Sequence, residues 1–306
     1  MIIDVHYHTS SLPDDEKVAK GMVEWLLTDP ARLGISKTVD EVMPLYQDYM
    51  NDTESDKLIG RMNEAGIDVT VIFMVDNVDF GADNETTMLR NEEVSQKAAK
   101  HPGRLIAMAG IDPRRPDAPA LFRRCIEEYN MKGLKWHPDM GFYPNSEEAY
   151  AVLKVANELE VPLLTHCSPL AETRAKYAHP IHLDDIALDF PNLNIIAAHM
   201  GLMWWREWAA LAQMKKNIIG DLAMWQIIAE SKPFLFRRYL REILDNVGPE
   251  QVLFSTDGPI YEPHVTTKRW LEIIKGLTTV GADGITFSQE EVDAILGGNA
   301  ARIFNL

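Results

Sequence analysis

The run Asp4-Val5-His6-Tyr7-His8 sets two imidazoles one residue apart. Alternate side chains of an extended strand share a face, so His6 and His8 point the same way. Two neutral imidazoles side by side at the tip of a buried strand form an arrangement that a divalent cation uses. Taken alone, the pair also fits two solvent-facing histidines on a frayed terminus. The other polar residues separate the two readings, because each of them follows an apolar run. They stand in Gly133-Leu134-Lys135-Trp136-His137-Pro138, Leu164-Thr165-His166-Cys167, Ala198-His199-Met200-Gly201 and Ser255-Thr256-Asp257-Gly258-Pro259.

Those runs are the elements that must position the polar groups. Candidate strands cover Ile2–His8, Val69–Val75, Leu105–Ile111, Gly133–His137, Pro162–Cys167, Asn194–His199, Ile218–Leu222 and Val252–Thr256. Most are rich in Ile, Val and Leu on both faces, as strands covered by helices are. Amphipathic stretches lie between them, among them Asn91–Lys100, Ala118–Tyr129, Ser146–Leu159 and Pro233–Asn246. The alternation is that of a parallel α/β fold. Eight β/α repeats, with no Gly-rich dinucleotide fingerprint after the first strand, predict a closed (β/α)8 TIM barrel rather than an open sheet. The connection after strand one is long. It predicts helices at Glu16–Leu27 and Thr38–Tyr49, then Asp56–Ala65 as the barrel helix before strand two. A single domain over 1–306 is expected, with a helical insertion at about 9–55 on the side where barrel active sites sit. That insertion reads as a lid or pocket wall, or as a passive layer or oligomer contact. Ser288-Gln289-Glu290-Glu291 is a capping box for a helix near the end of the chain.

The composition narrows the function classes. With 46 acidic and 30 basic residues in 306, the net charge of −16 disfavours nucleic acid and anionic membrane as partners. Cys125 and Cys167 are the two cysteines, so a disulfide framework is not implied and a reducing compartment is expected. The N-terminus lacks the charged-then-apolar pattern of a signal peptide, and no apolar run reaches the roughly 20 residues of a spanning helix. A cytoplasmic protein acting on a small molecule is the expectation. In a barrel the strand ends converge on one face. Burying several imidazoles and a carboxylate there is costly unless a cation compensates. Nitrogen and carboxylate ligands suit one divalent metal, zinc first, with manganese or iron as alternatives, and no organic cofactor is implied.

This set resembles the amidohydrolase superfamily, and within it the second family, the group of aminocarboxymuconate-semialdehyde decarboxylase, over nearly the whole chain. Connecting segments add to the resemblance: His179-Pro180-Ile181-His182-Leu183-Asp184 running to Phe190-Pro191-Asn192-Leu193, Val247-Gly248-Pro249-Glu250-Gln251-Val252-Leu253-Phe254, and Gly298-Asn299-Ala300-Ala301-Arg302-Ile303-Phe304. It implies that His6, His8, His166 and Asp257 are the ligands of a single metal, with His199 as the catalytic histidine beside it. Asp257 would bind the metal and act as general base on its water, and His199 would stabilise the oxyanion or shuttle a proton. Other branches of the superfamily carry a carbamylated lysine on strand four that bridges two metals. Lys135 permits that alternative, with His6, His8 and Asp257 on one ion and His166 and His199 on the other. The connecting segments resemble the single-metal branch, where Lys135 and His137 would bind an acidic group of the substrate. A buried ion pair and a loop-closing histidine are the plainer alternatives for those two. Arg206 and Trp204 are weaker substrate-binding candidates, as a carboxylate clamp and an aromatic wall; an ordinary surface ion pair and a core or interface aromatic are the alternatives. Cys167 should point away from the ligand face.

The expected function is a metal-dependent hydrolase that uses metal-activated water on an amide, ester or lactone of a small carboxylated substrate. Lys135 and His137, polar groups that hydrolytic barrels often use, weigh for it. The alternative is metal-dependent non-oxidative decarboxylation of an unsaturated or aromatic acid, and the remote one is a non-catalytic binding barrel. A homodimer is a further expectation.

Overall fold

A computed structural model describes residues 1–282 and 284–306. Eight parallel strands follow one another in chain order: β1 (Ile3–His8), β2 (Val69–Phe73), β3 (Leu105–Gly110), β4 (Leu134–Trp136), β5 (Leu163–His166), β6 (Ile195–Ala198), β7 (Ile218–Asp221) and β8 (Val252–Leu253). The ring is closed where Val5 N donates to Phe254 O (3.2 Å) and His8 N to Gly258 O (2.6 Å). The fold is the expected (β/α)8 TIM barrel.

The ladders end earlier than the apolar runs. His137, His199 and Asp257 stand beyond the last paired residue of β4, β6 and β8. His199 (φ 66°) and Asp257 (φ 51°) have left-handed backbones that cannot continue a strand. The expected strands stop short because the chain turns at its polar residues.

Fourteen helices surround the ring among the described residues. An added layer of α1 (Glu16–Leu26), α2 (Thr28–Leu33) and α3 (Val39–Met50) precedes α4 (Asp56–Ala65), α5 (Asn84–Lys100), α6 (Ala118–Glu127) and α7 (Glu147–Glu158). The second half carries α8 (Leu183–Asp189), α9 (Trp205–Met214), α10 (Trp225–Ser231), α11 (Pro233–Val247), α12 (Thr267–Lys275), α13 (Gln289–Asp293) and α14 (Asn299–Phe304). None of the described helices is long and apolar enough to cross a membrane. The barrel interior is packed by Val5, Val71, Phe73, Leu164, Ile196 and Ile219, and Ala300 and Ile303 of α14 pack into the same cluster. Cys167 belongs to the outer, helix-facing core.

The insertion α1–α3 has a small core of its own, built from Val23, Leu26, Val42, Tyr46 and Met50. It docks on the barrel mouth by hydrogen bonds: Tyr46 Oη donates to Ile260 O (2.7 Å), Lys37 Nζ to Pro263 O (2.6 Å), and Ala171 N to Asp29 Oδ1 (3.0 Å).

One irregularity aims the first two histidines. The β1–β2 register slips between Asp4 and Tyr7. Val5 packs in the barrel interior while Tyr7, two residues on, packs in the outer core. A bulge of this kind re-aims side chains at a barrel rim. Both His6 and His8 consequently stand edge-on to the interior Phe73, at 5.1 and 4.9 Å between ring centres.

Candidate active site

His6 Nε2 lies 3.2 Å from His8 Nε2. Asp257 Oδ1 stands 3.4 Å from the first and 3.1 Å from the second. Donor atoms bound tetrahedrally at about 2.0–2.1 Å are themselves about 3.3 Å apart, so this triangle has the size that one divalent ion spans. His6 Nδ1 donates to Asp221 Oδ2 at 2.8 Å, which leaves the Nε2 lone pair turned into the triangle. Lys135 is buried against the same atom, its Nζ 3.2 Å from His6 Nε2 and 4.7 Å from the centre of the Phe73 ring. Burial pushes that ammonium down to about 8, against the pull of Asp257, Asp221 and Asp139.

A second pair of lone pairs meets beside the triangle. His199 Nδ1 donates to Ala223 O (3.1 Å), and His166 Nε2 donates to Ser168 O (2.9 Å). The remaining nitrogens, His199 Nε2 and His166 Nδ1, face each other at 3.1 Å. Two acceptors so close need a proton or a cation between them. His199 also approaches Asp257, with Nδ1 3.8 Å from Oδ2. Among the described residues, the metal-capable groupings are His6, His199 and Asp257, and then His137, Asp139 and His166. The donor set fits a divalent metal by both its chemistry and its convergence.

The strained backbones of His199 and Asp257 are tied down by neighbours. His199 N donates to Asp221 Oδ1 (2.8 Å), and its carbonyl accepts from Trp225 Nε1 (2.7 Å). At Asp257, the next amide, Gly258 N, donates to Thr256 Oγ1 (3.1 Å), and Thr256 is bound to Asp4 through both N (3.0 Å) and Oγ1 (2.6 Å). Left-handed conformations of non-glycine residues cost about 1–3 kcal/mol each and cluster at functional sites.

His8, His137, His166, His199 and Asp257 line one cavity of about 520 Å³. Apolar side chains on its lining are Met22, Trp25 and Leu26 from α1, Met74 after β2, Phe80, and Ile260 after β8, and Asp29 of α2 and Glu93 of α5 line it as well. Arg90 and Lys97 of α5 add charge on one side.

The family model for amidohydrolases matches residues 3–306. The chain belongs to that family. None of the curated proteins matches this amidohydrolase in sequence. Its fold is similar to that of 2,6-dihydroxybenzoate decarboxylase complexed with 2,6-dihydroxybenzoate, at 18% identity and TM-score 0.69, covering 100% of both chains. A dihydroxybenzoic acid decarboxylase from Polaromonas sp. JS666, with bound manganese and 2-nitroresorcinol, aligns at 17% identity and TM-score 0.69, covering 100% of this chain and 97% of that one. The 5-carboxyvanillate decarboxylase of Sphingomonas paucimobilis aligns at 18% and TM-score 0.62, covering 100% and 99%. At such identity the likeness is one of fold.

In this amidohydrolase the structure draws together His6, His8, His166, His199 and Asp257, with His137 on the cavity wall and Lys135 behind His6. It does not draw in Arg206 or Trp204. Arg206 is 59% exposed, bound to Glu242 of α11 (3.0 Å) and stacked over Trp205 (4.1 Å). Trp204 packs on His179 (4.7 Å between ring centres). Neither lines the cavity. The helix α9 starts at Trp205, and its inward face takes Trp205 and Trp208, which turns Arg206 outward.

Two site residues escaped the sequence reading. Asp221 ends β7 and is fully buried against His6, His199 N and Ala223 N. Its strand-end position was the available signal, hidden because the predicted strand ran on to Leu222. Asp139, in the turn after β4, holds His137 Nδ1 at 2.5 Å. Burial opposes the ionisation of Asp139, yet the imidazoles of His137 and His166 hold its carboxyl well below the usual range. Asp257 is likewise held low, by His6, His8 and His199.

These environments give metal-free protein a definite pH response. Burial holds His6, His8, His166, His199 and His264 below the ordinary imidazole value, His199 and His264 at about 4. Between about pH 6.5 and 4 the unfolded chain takes up protons that the folded chain refuses, so stability falls as pH falls, by up to about 1.4 kcal/mol per pH unit per group. Burial raises Asp4 to about 7 and also raises Asp221, and these two oppose the trend, since their folded forms keep a proton that the unfolded forms lose. Five groups against two leave a net loss. The urea midpoint of metal-free protein is therefore expected to drop between pH 7 and pH 5; an unchanged or higher midpoint would contradict neutral, buried imidazoles.

Proposed function

We propose that this amidohydrolase is a metal-dependent carboxy-lyase that removes CO2 from a small aromatic or unsaturated acid. The carrying observation is a donor cluster that opens directly into a chamber lined both by apolar side chains and by the cations Arg90 and Lys97. The cations suit the carboxylate of an acid, and Met22, Trp25 and Leu26 suit its unsaturated or aromatic body. The decarboxylases of similar fold, two of them with bound manganese, support the reading.

The ion that His6, His8 and Asp257 would hold is manganese or zinc, and His166 Nδ1 stands 3.1 Å from Nε2 of the neighbouring His199. When bound, it supplies Lewis acidity that binds and polarises substrate oxygens. The chain's own residues do the rest. Asp221 fixes the tautomer of His6. Met22, Trp25 and Leu26 offer an apolar surface to the substrate. Asp257, ionised at rest and lining the cavity, takes the acid proton of the substrate and returns it: the C–C bond breaks, CO2 leaves, and the electron pair left on carbon takes that proton back from the carboxyl. His199, 3.8 Å from Asp257, steadies the carboxylate that results. The hydrolase reading stays second, favoured by the polar His137 on the cavity wall.

The test is metal analysis followed by a substrate screen. Protein purified without chelator is expected to hold one ion per chain and to release CO2 from hydroxybenzoates or unsaturated dicarboxylates, with release stopped by chelation and restored by manganese. Hydrolysis of lactones or amides without CO2 release would overturn the lyase reading in favour of the hydrolase. Two ions per chain, falling to one in Lys135→Ala, would make Lys135 a carbamate bridge.

A further inference from the structure

Tyr7, Tyr46 and Tyr261 are buried around the loop that follows β8. Two of their hydroxyls are satisfied within the protein. Tyr7 Oη meets Arg61 Nη2 (2.5 Å), and Tyr46 Oη donates to Ile260 O (2.7 Å). Tyr261 differs. It is 4% exposed and lines the cavity, and among the described residues its hydroxyl has no hydrogen-bond partner. A buried tyrosine hydroxyl usually finds one. Nor is this oxygen sealed from solvent, unlike the ring nitrogens of His264 on the same loop. It opens onto the cavity.

The acceptors nearby are engaged. The titratable neighbours of Tyr261 are Asp257, Asp29 and Tyr46. Asp257 turns Oδ1 to His6 and His8 and Oδ2 to His199, and Asp29 Oδ1 accepts from Ala171 N. The loop meanwhile holds the tyrosine in place. Tyr261 N donates to Asp257 O (3.3 Å), and Tyr261 O accepts from His264 N (3.0 Å) and Val265 N (3.1 Å). A donor fixed before the substrate arrives needs no reorganisation. A phenol is such a donor at neutral pH, and it adds no charge beside Asp257.

We propose that Tyr261 donates a hydrogen bond to the carboxylate of the bound acid, at the reacting end beside Asp257. The inference rests on the proposed function. Arg90 and Lys97 attract the acid through space, whereas Tyr261 touches its carboxylate and orients it. This bond serves binding more than the chemical step. Departing CO2 is uncharged and accepts weakly, so the bond is not strengthened as the C–C bond breaks. Its removal therefore raises KM and spares kcat.

The test compares manganese-loaded wild-type protein with Tyr261→Phe, which keeps the ring and removes the hydroxyl alone. That hydroxyl bonds to no described residue, so its loss costs the fold little; thermal melts and metal content verify that the variant folds and loads. Benzoate and sorbate, one aromatic and one unsaturated monoacid, are titrated by calorimetry, and kcat and KM are measured for any acid that releases CO2. An acid that binds the wild type is expected to bind Tyr261→Phe about tenfold or more weakly, the effect of losing a bond to a charged group. KM should rise in step with kcat held within about threefold, a split that a merely structural role would not give. Affinity and KM unchanged within about threefold would overturn the contact and leave the proposed function standing. A fall in kcat at constant KM would overturn it too, because the hydroxyl would then serve charge that forms as CO2 leaves. Wild-type protein that binds neither acid and releases CO2 from none would sink the proposed acid chemistry, and this inference with it.

Discussion

Asp257→Asn should lower turnover by about a hundredfold to ten-thousandfold, the range a positioned acid or base contributes. The asparagine keeps the shape but loses the charge that faces His6 Nε2 and His8 Nε2 at 3.4 and 3.1 Å. It also cannot take up and return the proton that the reaction moves. Two effects combine, so two measurements are needed. Metal content by elemental analysis and kcat with excess manganese separate them. Activity that returns to near wild type in excess metal would limit Asp257 to ligation and move the proton donor to another group on the cavity floor.

Asp221→Ala should act without touching the substrate. The carboxylate accepts from His6 Nδ1 (2.8 Å), His199 N (2.8 Å) and Ala223 N (3.1 Å), all buried. Removing it strands three donors and frees His6 to rotate or change tautomer. Each buried donor left without its acceptor costs about 1–3 kcal/mol. Loss of the carboxylate behind a metal-binding histidine costs about 10–100-fold in metal affinity. Denaturant unfolding of metal-free protein and a competitive chelator titration read these two quantities independently. Unchanged chelator competition would mean that stacking alone orients His6.

The contrast between these aspartates explains what the sequence reveals. Asp257 was legible because it follows an apolar run and stands before a Gly-Pro turn. His6, His8, His166 and His199 were legible by the same strand-end logic, as was the helix α4. Asp221 obeys that logic too, but Leu222 and Ala223 continue the apolar pattern and conceal the strand end. Asp139 required knowledge of how the turn after β4 folds back, which periodicity does not carry. The bulge in β1 was equally hidden: a two-residue alternation predicts that His6 and His8 share a face, but not that Val5 shares it with them. Arg206 failed for a different reason. A guanidinium after strand six suits a substrate carboxylate, yet the two tryptophans of the same helix compete for the inward face, and the larger apolar area wins.

The separate core of α1–α3 has a bearing on how such a protein diversifies. The donor set hangs on strands whose packing belongs to the barrel, whereas Met22, Trp25 and Leu26 hang on a layer stabilised mostly by its own Val23, Val42, Tyr46 and Met50. Substitutions in that layer can therefore reshape the roof of the cavity while the chemistry on its floor is inherited unchanged. The layer is also tied to the mouth by a few hydrogen bonds, which suits cooperative detachment at a lower free energy than global unfolding. Part of the cavity lining thus resides in a unit that evolution can revise separately from the donor set.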